Sequence, residues 1–293
     1  MSSTYSLPGA SLSPFTTTSG GDAHFFEEAV TPEAIRAMID DTPGQPSLDA
    51  YVASGTPAPA GADSGGSRGA VLSRAMKFLL ASMTKGRDVS ELFPSVVKLV
   101  GNPGLAPEVR KMVYMYLVHY ADATPATREL ALLSVNSFQK DLAGGAPAVR
   151  ALALRVLSGI RVPDILQIQI LGARKCAGDP SPHVRRCAAM ALPKLCGRAL
   201  TVDASLAGGL APVLRTLLVS ETDPSVLSSA VMAYGEMNTA ADGTEDDALL
   251  HGCYRKVCHL LTDMEEWGQV VALGLLARYA RRNFAAPRPG GAA

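Results

Sequence analysis

The chain has 293 residues, 47% hydrophobic, 18% charged and only 5% aromatic, with 27 basic side chains balancing 27 acidic ones. Such a composition is ordinary for a soluble folded protein, and no run of 18 or more apolar residues argues for a membrane span. The N-terminus lacks a basic start followed by an apolar core, so no secretory signal is expected. Five cysteines (Cys176, Cys187, Cys196, Cys253, Cys258) form an odd set without framework spacing, which predicts reduced thiols in a cytosolic protein.

The zero net charge hides an asymmetry. Residues 69–200 carry 18 Lys+Arg against 8 Asp+Glu, whereas the first 68 carry 2 against 8 and residues 201–293 carry 7 against 11. The basic middle suits an acidic partner or an anionic membrane surface, with a solvated helical face as the plainer alternative.

In chain order, residues 1–24 are Ser/Thr/Gly/Pro-rich and read as a disordered tail. Residues 25–40 read as a short helical segment. It opens at Phe25-Phe26, and Thr31-Pro32-Glu33 starts a helix over Pro32–Asp40, with the Thr as N-cap and Pro at the first helical position. Residues 41–69 return to Pro, Gly, Ala and Ser and read as a low-complexity linker.

A repeat begins at Ala70. Val71-x3-Ala75-x3-Leu79 recurs as Val109-x3-Val113-x3-Leu117, Val149-x3-Ala153-x3-Leu157, Val184-x3-Ala188-x3-Leu192 and Val226-x3-Ala230-x3-Tyr234. A looser copy is Trp267-x3-Val271-x3-Leu275; the steps are 38, 40, 35, 42 and 41 residues. Partner helices are expected at 89–100, 126–142, 164–177, 206–219 and 247–262. Turns between them are marked by Asn102-Pro103-Gly104, Gly144-Gly145, Gly178-Asp179-Pro180 and Thr222-Asp223-Pro224. A period near 40 built from helix pairs, without strand-like alternation, predicts an all-α fold. The expected architecture is a right-handed α-solenoid of about six HEAT/armadillo-like helix pairs over 70–284, followed by a disordered tail at 285–293.

Arg110, Arg150 and Arg185 each follow a register Val. Stacked repeats would set them in a row able to bridge acids of neighbouring turns, so the row reads as scaffold first and binding surface second. The wider set Arg150, Arg155, Arg174, Lys175, Arg185 and Arg186 is the candidate surface for an acidic partner or a membrane.

Catalytic chemistry is not expected. Gly65-Gly66-Ser67-Arg68-Gly69 matches G-x-S-x-G, but a hydrolase elbow needs a strand before it, and a Pro/Ala/Gly stretch precedes it here. Cys253 and Cys258 stand about 140° apart on one helix and do not converge on a metal. The five histidines show no zinc-protease spacing, and no phosphate-cradling G-x-x-x-x-G-K-[ST] exists. Glu265-Glu266 fit a helix start, and Trp267 is expected in the core. Tyr116 and Tyr120 fall on the core face of their helix and Tyr114 off it, so the basic middle lacks the exposed aromatics that nucleic-acid binding uses. No cofactor, metal or nucleic acid is expected.

Ser90–Val100, Val113–Ala121, Glu129–Leu142, Val149–Ile165, Ser181–Leu195, Glu265–Val271 and Arg278–Arg281 together resemble the N-terminal trunk of the beta subunit of clathrin-type adaptor complexes. The wording is most similar to that of the third adaptor complex. The stretch from Glu129 to Pro163, ending in Arg161-Val162-Pro163, is the most specific part. The resemblance implies a non-enzymatic coat subunit that serves intracellular protein transport and cargo sorting. It would be cytoplasmic and peripheral on Golgi, endosomal and coated-vesicle membranes. The implied partners are the second large, medium and small subunits and an Arf-type GTPase. The hinge motifs that bind clathrin are not found in this sequence, so clathrin binding is not expected of it. The alternative is a HEAT scaffold of another class, such as a transport receptor or phosphatase scaffold. The final helix, Trp267–Phe284, is apolar over more than one face, and a further repeat or a partner chain is expected to cover it.

Overall fold

The computed structural model describes residues 25, 30–40, 64–102, 104–240 and 247–285. The expected tails, most of the expected linker and the Pro103 turn position lie outside these residues. Helices and turns make up the described residues, with no strand among them. The chain divides into two compact units, Met1–Val89 and Ser90–Ala293.

In the first unit, α1 (Pro32–Asp40) packs on α2 (Ser64–Thr84). Helix α1 has the bounds its sequence predicts, with the Ala34 amide donating to Thr31 Oγ1. Helix α2 starts six residues before the expected Ala70, which puts Gly65–Gly69 in its opening turns rather than at a strand-to-helix elbow. The α2 core comprises Leu72, Ala75, Met76, Phe78 and Leu79, whereas Val71 is exposed; here the repeat register is carried by Leu72. Phe25 meets Phe78 edge-on at 4.7 Å, and the cations of Lys77 and Arg74 lie over the two rings. Gly86, at φ +75°, closes α2: its amide donates to the Met83 carbonyl and the Arg87 amide to that of Ser82.

The second unit is a two-layer stack. Its helices are α3 (Phe93–Val97), α4 (Pro107–Tyr120), α5 (Pro125–Ala143), α6 (Pro147–Leu157), α7 (Leu166–Ala177) and α8 (Pro182–Val202). There follow a single turn α9 (Ala204–Ala207), then α10 (Ala211–Ser220), α11 (Pro224–Ala240), α12 (Asp247–Leu260) and α13 (Glu266–Asn283). Helices α4, α6, α8, α11 and α13 pack side by side as one layer, and α3, α5, α7, α10 and α12 as the other. Each pair α3–α4, α5–α6, α7–α8, α10–α11 and α12–α13 packs across the layers. This is the packing of an α-solenoid, in which each repeat covers the apolar face of the one before it.

The sequence dictates where the helices start. Pro107, Pro147, Pro182 and Pro224 each open a helix of the first layer, a position where the missing N–H has no intrahelical partner to lose. Thr124 and Thr127 cap α5 reciprocally, and Asp223 Oδ1 accepts from the amides of Ser225 and Val226 at the start of α11. The register residues of α4, α8 and α11 are buried throughout, as the repeat predicts.

Two expectations are corrected. Trp267 is exposed and Gly268 takes its place on the buried face of α13, with Ala272, Leu275 and Tyr279. A Cβ on Gly268 would lie 1.8 Å from Ser228 Oγ on α11, so this contact has room only for glycine. Tyr114, expected off the core face, is buried with Tyr116 and Tyr120. Its ring packs 5.3 Å from Phe138 on α5. Helix α4 meets α3 and α6 and, through Tyr114, also α5, so it buries more than one face.

Candidate interaction surface

The basic row runs along the N-terminal ends of the first-layer helices. In α6, Arg150 Nε and Nη2 donate to the two carboxylate oxygens of Asp179, at 2.8 and 2.9 Å, and its Nη1 donates to the Gly145 carbonyl. Asp179 lies in the loop before α8, one repeat on. Its Oδ1 also accepts from the Ser181 amide. Arg185 in α8 grips the same loop through the carbonyls of Asp179 and Pro180, and forms a second bidentate pair with Glu221, in the loop before α11. Glu221 Oε1 further accepts from the amides of Thr222 and Asp223. Arg186 continues the line to Ser225 Oγ and to Glu265, at the start of α13. Arg150, Asp179, Arg185 and Glu221 thus form a continuous ladder across three repeats, extended to a fourth by Arg186 and Glu265.

The electrostatics agree with that geometry. The Arg150 hydrogen bonds hold the Asp179 carboxyl below its usual range against the opposing effect of burial, helped by the Ser181 amide. Burial pushes Glu221 up, but the Arg185 pair and the two loop amides outweigh it and its pKa is lowered. Both guanidiniums are raised by the same pairs, their hydrogen bonds outweighing the cost of burial.

The other three candidate residues lie elsewhere. Arg155, exposed on α6, reaches the Cys187 sulfur of α8 at 3.7 Å. Arg174 and Lys175 lie on α7, in the other layer. Arg174 Nη2 donates to the Gly209 carbonyl at 2.8 Å, while Lys175 is exposed with no hydrogen-bond or ion-pair partner among the described residues. A Cβ at Gly209 would stand 1.9 Å from that guanidinium nitrogen. The structure therefore joins Arg150, Arg185 and Arg186 in one ladder and leaves Arg155 apart from the Arg174–Lys175 pair.

Sequence reasoning missed a second polar cluster, at the C-terminal end of α6. Gln169, fully buried on α7, donates to the carbonyls of Leu157 and Ile160. Arg198 of α8 donates to the carbonyls of Ser158 and Ile160. Together they satisfy acceptors that the helix end leaves without intrahelical donors. Burial lowers the Arg198 pKa, and the nearby Arg161 adds to the shift. The signal was a polar residue at a register where its helix is otherwise apolar (Leu166, Ile170, Ala173).

Buried thiols complete the polar inventory. Cys176 is pushed up to about 11 by burial and then by Asp179; Cys196 and Cys253 are raised by burial, while Cys258 is exposed. Among the described residues no three His, Cys, Asp or Glu side chains are grouped to hold a metal ion, and no helix is long and apolar enough to cross a membrane. What the arrangement offers chemically is a helix stack in which Arg150, Arg185, Arg186 and Arg198 are committed to neighbouring repeats.

Comparison with known proteins agrees with the stack. The Adaptin N terminal region family matches residues 68–289. The mouse AP-3 complex subunit beta-2 is 44% identical over 213 residues, 73% of this chain and 18% of that one. The Dictyostelium discoideum AP-3 complex subunit beta is 44% identical over 212 residues, 72% and 18% of the two chains, and the mouse AP-1 complex subunit beta-1 is 36% identical over 211 residues, 71% and 21%. The match spans less than a fifth of the length of these two AP-3 relatives. Among solved structures, an engineered protein aligns with a TM-score of 0.45 at 19% identity, over 84% of this chain and 96% of that one, too slight a likeness to bear on the fold. The matched family and the two-layer helix stack agree along almost the whole of the second unit: the chain belongs to the adaptin N-terminal region family.

Proposed function

We propose that the chain is a scaffold subunit of a vesicle-coat adaptor complex. In this reading it is non-enzymatic and serves intracellular protein transport and cargo sorting at Golgi and endosomal membranes through protein–protein contacts. Its partners are the second large, the medium and the small adaptor subunits, with an Arf-type GTPase, and its contact with the membrane is peripheral and made through the complex. The observation that carries the reading is the 44% identity to AP-3 beta subunits over a helix stack whose part-buried ion pairs serve repeat-to-repeat contact. The exposed Lys175, beside Arg174 on α7, is the member of the candidate set placed to meet an acidic partner.

The test is recovery of the full chain, tagged, from cells, with its companions identified by mass spectrometry. Co-recovery of a second large, a medium and a small adaptor subunit is expected, and Lys175→Glu should weaken that recovery without changing the melting temperature. Recovery of none of the three with all of them expressed would sink the proposal.

A further inference from the structure

The first layer carries a row of side chains that its core does not use. Met115, Arg155, Met190 and Met232 each stand six residues after a register Val, on α4, α6, α8 and α11 in turn. On all four helices the residues four, five, seven and eight after that Val are buried. At about 100° per residue those four lie between about −20° and +140°, and the sixth lies near −120°, opposite their centre. The row therefore points away from the core of every helix that carries it. Met115 and Met190 are 58% and 46% exposed, Arg155 is exposed and Met232 half-buried. Single exposed apolar residues need no explanation, but recurrence at one register, repeat after repeat, does. The flanks are basic. Lys111 on α4 and Lys194 on α8 stand one turn from the row and are exposed, while α6 and α8 contain no acidic residue. At the flanking positions the one acid is Glu236, on α11.

We infer that this row docks an amphipathic helix of a partner protein, lying across the first layer with an acid facing Arg155 and apolar side chains facing Met115, Met190 and Met232. The spacing fits. Packed helices stand about 8–10 Å apart, and seven residues of helix rise about 10.5 Å, so a crossing helix meets one rung in every heptad. Methionine suits such a surface, because its unbranched thioether adapts to the side chain that lands on it. Helix recognition of this kind is read by regularly spaced anchors. Charge complementarity makes the occupant acidic on its flanks, towards Lys111 and Lys194. Glu236 fixes its direction: the positive end of the occupant's dipole, its N-terminus, lies over α11. From that end the facing residues are apolar at i and i+7, acidic at i+14 and apolar at i+21. A lipid surface would answer the basic charge but not this order. The inference rests on the first-layer surface alone, and its test involves no adaptor subunit, so it and the adaptor reading can each fail separately.

The experiment is fluorescence anisotropy of a labelled synthetic helix of about 25 residues, titrated with the purified full chain; that length spans the four rungs. The probe carries Leu at i, i+7 and i+21, Glu at i+14, and Glu, Gln and Ala elsewhere. Saturable binding is expected, and Met115→Glu and Met190→Glu should each raise the dissociation constant about tenfold or more, as loss of an anchor does. Both methionines are exposed, so these variants should keep the wild-type melting temperature, which separates loss of docking from loss of fold. Arg155→Glu should also weaken binding, and a probe with Lys at i+14 should bind that variant better than the original probe does. A probe of the same composition with its leucines dispersed around the helix should not bind, and one with the facing order reversed should bind more weakly. No binding by the probe overturns the proposal, as does binding that neither methionine variant weakens or that the dispersed or reversed probe matches. Failure of the Lys probe to recover the Arg155→Glu variant overturns the acid assigned to that rung. Phosphatidylcholine vesicles with about 30% phosphatidylserine are the lipid arm. Vesicle binding that Met190→Glu abolishes, with no binding of the probe, would make the row a membrane surface and overturn the proposal.

Discussion

Arg185 and Glu221 face each other across the gap between two repeats, with Nε to Oε2 at 2.6 Å and Nη2 to Oε1 at 3.0 Å. Glu221 is almost wholly buried and Arg185 largely so. This pair joins α8 to the loop that starts α11, and the same guanidinium holds the Asp179–Pro180 loop that Arg150 grips from the other side. One arginine therefore ties its own helix start to the next, and the ladder couples three repeats in addition to their apolar packing.

Removing one partner should cost more than removing both. Arg185→Met leaves a buried carboxylate with only the Thr222 and Asp223 amides, and a loss of about 2 kcal/mol is expected. The double variant Arg185→Met with Glu221→Gln should recover part of that loss, because no unpaired charge remains. Urea denaturation of the four proteins of this cycle gives the coupling directly.

The ladder also sets an acid limit. Asp179 and Glu221 have folded-state pKa values below their ordinary 3.8 and 4.5. A lowered carboxyl binds its proton less readily folded than unfolded, so the unfolded chain takes up protons first as pH falls. The stabilisation is whole above those ordinary values and is lost as pH falls through the lower, folded ones. Melting temperatures measured from pH 6 to pH 3 should fall, and Asp179→Asn should flatten the slope relative to wild type.

The parts of this arrangement that the sequence revealed are those carried by a repeat. The Val–Ala–Leu spacing and the prolines before it put α4, α6, α8 and α11 in one layer, and the arginines after Val149 and Val184 marked the basic half of the ladder. The acidic half was legible only in outline: acids of neighbouring turns were expected as partners, but not which ones. Asp179 and Glu221 each stand five residues before a register Val, 29 and 36 residues from their partners, and only the folded loops show the pairing. Trp267 was misplaced for a related reason. Apolar pattern-matching prefers a large side chain to a glycine, whereas the α11–α13 contact is so close at Ser228 that it selects Gly268. Tyr114 shows the limit of a single-face wheel: α4 buries a second side against α5, where the ring meets Phe138 and the hydroxyl finds Asp141. Burial, and then Asp141, push that phenol up to about 12.

The Gly268 contact makes a sharp prediction. Gly268→Ala would gain helix propensity of about 1 kcal/mol on an open surface. Here the new methyl meets Ser228 Oγ at 1.8 Å and its Cβ at 2.8 Å, so α13 must move off α11. A net destabilisation of about 1–3 kcal/mol is expected, in the range that overpacked cores show. Adding Ser228→Gly should return most of it, because the opposing side chain is then gone. Differential scanning calorimetry of the single and double variants distinguishes steric conflict from a propensity effect, which Ser228→Gly would not repair.

The polar closure at the end of α6 should be equally sensitive, for a different reason. Gln169 gives one amide nitrogen to two carbonyls, those of Leu157 and Ile160, inside a site with no exposure. Gln169→Leu keeps the volume nearly constant but leaves the Leu157 carbonyl without that donor. Ile160 retains Arg198, which also holds Ser158. The expected cost is about 1–3 kcal/mol, that of one buried acceptor left unmade. Arg198→Met removes the donor to Ser158 and should cost a similar amount, lessened by relief of a buried cation whose charged state burial and Arg161 already disfavour. The two substitutions share the Ile160 carbonyl, so together they should cost more than their sum. Hydrogen exchange localises the effect: amides of α6 and of the Arg161–Ile165 turn should lose protection in both variants, while those of α12 and α13 should not. Loss of protection spread evenly over the whole stack would show that the cluster contributes only global stability and does not specifically anchor this helix end.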